Sequence, residues 1–115
     1  MGGDIIEDRL KKYKYIKPII NNIDLDIKYK KMKKEKRIEL DILRYKLVKE
    51  QRIIEEAIDS LDKDKYKELI RLHYVESMKI IEISKLWGVT GSSVSSMKRG
   101  ILKKLQKYLI ANDTR

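Results

Sequence analysis

The chain has 115 residues and a formal net charge of +10, and 40% of its residues are charged. A basic excess of this size is typical of proteins that bind a polyanion, and it favours nucleic acid over a membrane surface. The absence of Cys excludes a disulfide framework and a thiolate metal site. No apolar run approaches the about 20 residues of a membrane span, and the acidic N-terminus is unlike a signal peptide, so we expect a cytoplasmic protein without membrane contact.

Helix-favouring residues dominate the chain, with abundant Ile, Leu, Lys and Glu and a single Pro. This composition predicts an all-α fold. The pattern divides into a helical N-terminal arm (1–60), a helix-turn-helix bundle (61–110) and a short tail (111–115). Within the arm, we expect a first helix from Asp4 to Ile16. Because Pro18 has no N–H, it predicts a break at 17–22 and a second helix beginning there.

The segment 28–36 is almost entirely basic. It fits a solvated turn or a frayed helix between two arms. It also fits a second patch that contacts phosphates without reading sequence. Both interpretations stay open at the level of the sequence.

The longest periodic segment runs from Arg37 to Leu61. Its apolar seam follows a 3-4 spacing interrupted only by Glu50, and it can pack on the first arm or on a second copy of the chain. A second stripe, formed by Ile38, Ile42 and Tyr45, is expected to widen the face toward the core. Three heptads do not decide between these two partners. If a second copy is the partner, the oligomer seam consists mainly of Leu40, Leu43, Leu47 and Ile54.

A brace helix is predicted over 63–75, with Asp62 as its N-cap. It contains the only histidine, His73, which has no Cys or second His with which to hold a metal. It also lacks a paired nucleophile, so we expect an ordinary surface or half-buried side chain. No phosphate-cradling Gly-rich loop is present. The sequence therefore predicts no catalytic residue, no metal and no cofactor, and a protein that is not an enzyme.

Two short helices joined by a tight turn are predicted over 79–105. Ile80, Ile83 and Trp87 form one apolar face, and Gly88 follows where a helix end favours a left-handed backbone. Thr90 is placed to cap the second helix, whose buried face begins at Val94. This arrangement predicts a helix-turn-helix, whose second helix enters the major groove of DNA. No acidic residue occurs from Ser84 to Asn112, as expected of a surface that contacts phosphates.

The segment from Leu61 to Leu105 resembles region 4 of sigma-70 factors, and more closely the sigma-like C-terminal domains of phage late-gene regulators of the ArpU and RinA type. The resemblance rests on an ordered set of short matches: Leu61-Asp62, Leu69-Ile70, Tyr74, Glu82-Ile83-Ser84, Trp87-Gly88-Val89-Thr90, Val94 and Leu102-Lys103-Lys104-Leu105. Gly91, Ser92 and Ser93 stand where sigma factors carry Arg or Glu for base reading, so promoter specificity is not implied.

The helix-turn-helix pattern and this resemblance favour a DNA-binding transcriptional regulator encoded by a phage or prophage. Because such regulators also carry a helical N-terminal arm, the resemblance implies a homodimer or a higher oligomer. The inward position of Val94, Met97 and Leu102 leaves a base-facing set: Ser92, Ser93, Ser95, Ser96 and Arg99. Lys85, Lys98, Lys103 and Lys104 are the predicted phosphate contacts. Two other classes fit the same pattern: a DNA-packaging protein like a small terminase subunit, which would form a ring, and a sigma-like module that binds RNA polymerase.

Overall fold

A computed structural model describes residues 2–113, which form a series of helices without a strand in that range. The elements are α1 (Gly2–Tyr29), α2 (Lys34–Asp59), α3 (Asp64–Ile70), a π-helical turn (Arg71–Val75), α4 (Ile80–Trp87) and α5 (Gly91–Asp113). The all-α prediction is therefore confirmed. No helix within residues 2–113 combines the length and the apolar character needed to cross a membrane.

The predicted break near Pro18 is wrong, because α1 is one continuous helix of 28 residues with Pro18 inside it. Pro18 cannot donate to the carbonyl of Lys14, which normally disfavours a helix interior. Its ring lies on the exposed side of the helix, where water can solvate that carbonyl. Ile16 and Ile20 are buried on the opposite side, and their burial outweighs the local cost of the proline.

The helices α1 and α2 form an antiparallel hairpin joined by the basic loop 30–33, so the middle of the segment 28–36 is a turn and its ends belong to the two helices. Two ion pairs tie the hairpin: Arg9 Nη2 lies 2.7 Å from Glu50 Oε1, and Arg44 Nε lies 2.6 Å from Asp24 Oδ1. Leu47 lies midway between Arg44 and Glu50 along α2 and is half-buried. The apolar seam of α2 thus packs on the first arm of the same chain, with Leu40 half-buried, Ile54 buried and Leu43 largely exposed.

The second stripe of α2 does not widen the face toward the core, contrary to the sequence prediction. Ile38, Ile42 and Tyr45 are 47%, 51% and 69% exposed. They lie about 80° or more around the helix from the residues that pair with α1, given about 100° per residue. Within residues 2–113, no element covers this side of α2.

One hydrophobic core joins the arm to the C-terminal helices. Its buried members from the arm are Ile6, Leu10, Ile54 and Ala57, and those from α5 include Ile101, Leu105 and Leu109. Residue 60, the predicted boundary, falls in the connection between α2 and α3, while the buried cluster continues across it. Within the predicted tail, residues 111–113 continue α5, and 114–115 lie outside the described residues.

The predicted helix 63–75 is present as α3 and the π-helical turn, and it buries Leu69, Ile70 and Tyr74. The predicted cap is wrong. The N-cap residue is Lys63, without a side-chain cap, and the Asp62 carboxylate instead accepts a hydrogen bond from Lys104 Nζ at 3.2 Å. Asp62 lies one residue before the cap, and the cation of Lys104 is the stronger partner.

Candidate nucleic-acid interface

Gly88 and Thr90 determine the conformation of the turn between α4 and α5, as predicted. Gly88 has φ 67° and ψ 34°, a left-handed conformation that glycine adopts without steric cost. The N–H of Val89 donates to the carbonyl of Ser84 at 3.0 Å, which closes the end of α4. Thr90 Oγ1 then accepts the N–H of Ser93 at 3.1 Å and caps the start of α5.

The buried faces of these two helices hold them against the core. Ile83 on α4 and Val94 on α5 have no exposed surface, and Ser84 is 4% exposed. Trp87 is half-buried, and Lys65 Nζ lies 4.8 Å from the centroid of its ring. The inward positions predicted for Val94, Met97 and Leu102 agree with their burial, since Met97 is half-buried and Leu102 is 9% exposed.

The predicted base-facing residues separate into two groups. The first group consists of Ser92, Ser96 and Arg99, which are exposed. Together with the exposed Lys103, which is a predicted phosphate contact, they follow one another at spacings of 4, 3 and 4 and form one row on the outer side of α5. Arg99 Nη2 donates to Ser96 Oγ at 3.1 Å within this row. Ser93 is exposed but bonded to Thr90, and Ser95 is half-buried at the edge.

The four predicted phosphate lysines also differ. Lys85 and Lys103 are exposed and have no ion-pair partner among residues 2–113. Lys104 is exposed and pairs with Asp62 at 3.2 Å. Lys98 is 23% exposed at its side chain, and its Nζ lies 2.8 Å from Glu7 Oε2 on α1. It follows that Lys85 and Lys103 are the most accessible of the four.

A polar junction formed by Glu7, Tyr74 and Lys98 connects the arm to α5. The Tyr74 hydroxyl and Lys98 Nζ both donate to Glu7 Oε2, and Lys98 Nζ lies 5.8 Å from the Tyr74 ring centroid. Burial disfavours the charged form of Glu7, but the hydrogen bonds from Lys98 and Tyr74 and the nearby positive charges outweigh it and lower the pKa of Glu7. Burial, with the hydrogen bond to Glu7, raises the pKa of Tyr74 well above its ordinary range. The junction is therefore an ionised carboxylate held between two donors.

Sequence reasoning did not find this junction, because Glu7 and Tyr74 are 67 positions apart and no local pattern relates them. Glu7 and Asp62 also bring carboxylates to two lysines of the interval 84–112, which contains no acidic residue of its own. The positive surface is thus narrower than the sequence implied. It centres on the outer row of α5 and on Lys85.

No group of potential ligands among residues 2–113 is arranged to hold a metal ion. His73 is half-buried, as predicted, and its Nδ1 lies 2.7 Å from the carbonyl oxygen of Met78. Since a carbonyl only accepts, Nδ1 carries the proton and the side chain serves the local fold. Hydroxyls, a guanidinium and ammonium groups on one helix face are the donors that contact nucleic-acid phosphates and base edges.

Comparison with protein-family models, with curated proteins and with solved structures found no match for this chain.

Proposed function

We propose that the chain is a sequence-specific DNA-binding transcriptional regulator encoded by a phage or prophage, and that it acts as a homodimer. In this proposal α4 and α5 are a helix-turn-helix, and α5 enters the major groove. The observation that carries it is the exposed row of Ser92, Ser96, Arg99 and Lys103 on a helix whose opposite face is buried. The resemblance to sigma region 4 over Leu61–Leu105 gives the same assignment.

The residues of the row have different proposed roles. Ser92 and Ser96 lie near the start of α5, where their hydroxyls donate to or accept from base edges. Arg99 suits a guanine, because its guanidinium donates two parallel hydrogen bonds. Lys85 and Lys103 contact phosphates on either side and set affinity more than sequence choice. RNA polymerase is a further proposed partner, as in the sigma-like regulators that the sequence resembles.

The test is a binding titration on duplex DNA over a range of salt concentrations. We expect Lys103→Ala to weaken binding to all sequences and to reduce the slope of log affinity against log salt by about 1, because one phosphate contact is lost. Lys12→Ala is the matched control, since Lys12 is an exposed lysine on α1, without an ion-pair partner among residues 2–113, and should leave the slope unchanged.

The role of Arg99 in sequence choice is tested separately, by measuring the affinity of Arg99→Ala for a DNA site that the wild type prefers and for variants of that site. A lost bidentate contact should reduce discrimination at one base pair by about 1–3 kcal/mol. If Lys85→Ala, Lys103→Ala and Arg99→Ala all bind every duplex as the wild type does, then α5 is not the DNA-binding face. A ring of many copies in light scattering would instead favour a DNA-packaging protein.

A further inference from the structure

The outer side of α2 carries a stripe of large apolar side chains that no part of the described chain covers. Ile38, Ile42 and Tyr45 are 47%, 51% and 69% exposed, and their 4-3 spacing aligns them on one side of the helix. Scattered exposed apolar residues are ordinary on a protein surface. An aligned set at heptad spacing is instead the pattern of a helix that packs on another helix.

We propose that a second copy of the chain covers this stripe, with the two α2 helices packed antiparallel around a two-fold axis. This deepens the proposed function by assigning the surface of its homodimer, and it replaces the seam of Leu40, Leu47 and Ile54, which packs within the chain. In heptad terms, Ile42 occupies an a position, and Ile38 and Tyr45 occupy d positions. The a positions on either side are Glu35 and Lys49, and the next d position is Arg52.

The charges at the ends of the stripe determine the direction of pairing. In an antiparallel pair an a residue faces a d residue. Ile42 therefore meets Tyr45 of the partner subunit, Glu35 meets Arg52 of the partner subunit, and Ile38 meets the alkyl stem of Lys49 of the partner subunit, each twice by symmetry. In a parallel pair each a or d residue faces its own copy, which opposes two Glu35 carboxylates, two Lys49 ammonium groups and two Arg52 guanidinium groups. Like charges in contact are unfavourable, so the antiparallel arrangement is selected.

The charged residues beside the stripe also favour antiparallel pairing of two copies. Glu39 and Lys46 lie seven residues apart on one side of it, and antiparallel pairing places Glu39 opposite Lys46 of the partner subunit. None of Glu35, Glu39, Lys46 and Arg52 has an ion-pair partner within residues 2–113. These four charges are therefore available to a second copy.

The size of the stripe sets the expected strength of the dimer. From Glu35 to Arg52 the helix extends about 26 Å at 1.5 Å per residue, and the apolar part covers about 10 Å of that length. We expect a contact of this length to bury less surface than a standard interface of about 1,200–2,000 Å². We therefore expect a dissociation constant in the micromolar range without DNA, with DNA linking the two subunits further.

Sedimentation velocity over a concentration series, without DNA, tests the surface. We expect the wild type to dimerise and Ile42→Glu to raise the dissociation constant at least tenfold. Leu25→Glu is the matched control, because Leu25 is 53% exposed on α1 and lies outside the stripe. Wild-type melting temperature and helix content in both variants would show that the fold is retained. A monomeric wild type at high micromolar concentration, or equal effects of the two variants, would overturn the proposal.

Charge reversal tests the antiparallel register. Glu39→Lys and Lys46→Glu should each weaken the dimer several-fold, and the double variant should restore it, because the reversed charges again face each other. In a parallel pair Glu39 faces Lys34 and Lys46 faces Asp41 of the partner subunit, so the double variant would stay weak and the proposed register would be wrong. Since no DNA is present, failure of the dimer is distinct from failure of DNA binding.

Discussion

Replacing Glu7 with Gln tests whether the polar junction holds the arm on α5. The substitution keeps the shape of the side chain and one oxygen acceptor, but it removes the negative charge shared by Lys98 and Tyr74. We expect a folded protein of lower stability, because Lys98, only 23% exposed at its side chain, loses its anionic partner.

The size of the expected loss in stability follows from the two hydrogen bonds that Glu7 accepts. A hydrogen bond to a charged group contributes about 1.5–3 kcal/mol, and a neutral one contributes about half as much. The amide oxygen of Gln can still accept from both donors, each bond at about half its strength, so the free energy of unfolding should fall by about 2 kcal/mol at pH 7. For a domain of this size about 4 °C corresponds to each kcal/mol, which predicts a melting temperature lower by about 8 °C.

The dependence on pH makes the test specific. Because the pKa of Glu7 is lowered in the folded state, its contribution is complete above the unfolded value of about 4.5 and is lost as the pH falls through the lower, folded value. The gap in melting temperature between the wild type and Glu7→Gln should thus be full at pH 7 and narrow below pH about 4.5.

Asp8→Asn is the control for this measurement, since Asp8 is the exposed neighbour of Glu7 and undergoes the same chemical change. It should shift the melting temperature by less than about 2 °C, as expected of a surface substitution. A Glu7→Gln variant that melts with the wild type at pH 7, or a gap that stays constant down to pH 3, would refute the account of the junction.

Two further predictions concern the pair α4 and α5. Gly88→Ala should lower the free energy of unfolding by about 1–2 kcal/mol in a chemical denaturation assay, because φ at Gly88 is +67°, although no atom lies within 4 Å of the added Cβ. Gly100→Ala is the control, since Gly100 has the same open space but a helical backbone. It should raise the free energy of unfolding by about 0.5–1 kcal/mol in the same assay. Trp87→Ala should cost about 3 kcal/mol, the lower end for an aromatic truncation since the ring is half-buried, and an unchanged melting temperature would show that the ring does not support the fold.

Local signals were sufficient for the C-terminal helices. Gly88 and Thr90 mark the end of α4 and the start of α5 because a left-handed backbone and an N-cap hydroxyl depend on the residue itself. The buried face of α5 followed from its spacing in the same way. The outward row of the candidate interface was predictable for this reason, as the complement of that buried face.

Predictions that depended on tertiary packing were less successful. Pro18 argued for a break, but the buried residues on the other side of α1 keep the helix continuous. The stripe at Ile42 has the spacing of a core face, and spacing alone does not tell which side of α2 meets α1. Lys98 looked like a free surface lysine, since its partner Glu7 is on a helix at the other end of the chain.

The packing of α1 on α5 has a consequence for the order of folding. Ile6 and Leu10 belong to the same buried cluster as Leu105 and Leu109, so contacts between the first and last described helices complete the core. During synthesis α1 and α2 can pair early, but this part of α1 keeps an exposed apolar face until α5 has left the ribosome. Closing so long a loop carries an entropic cost that local helix contacts do not, so docking of α1 on α5 should be a late step in folding.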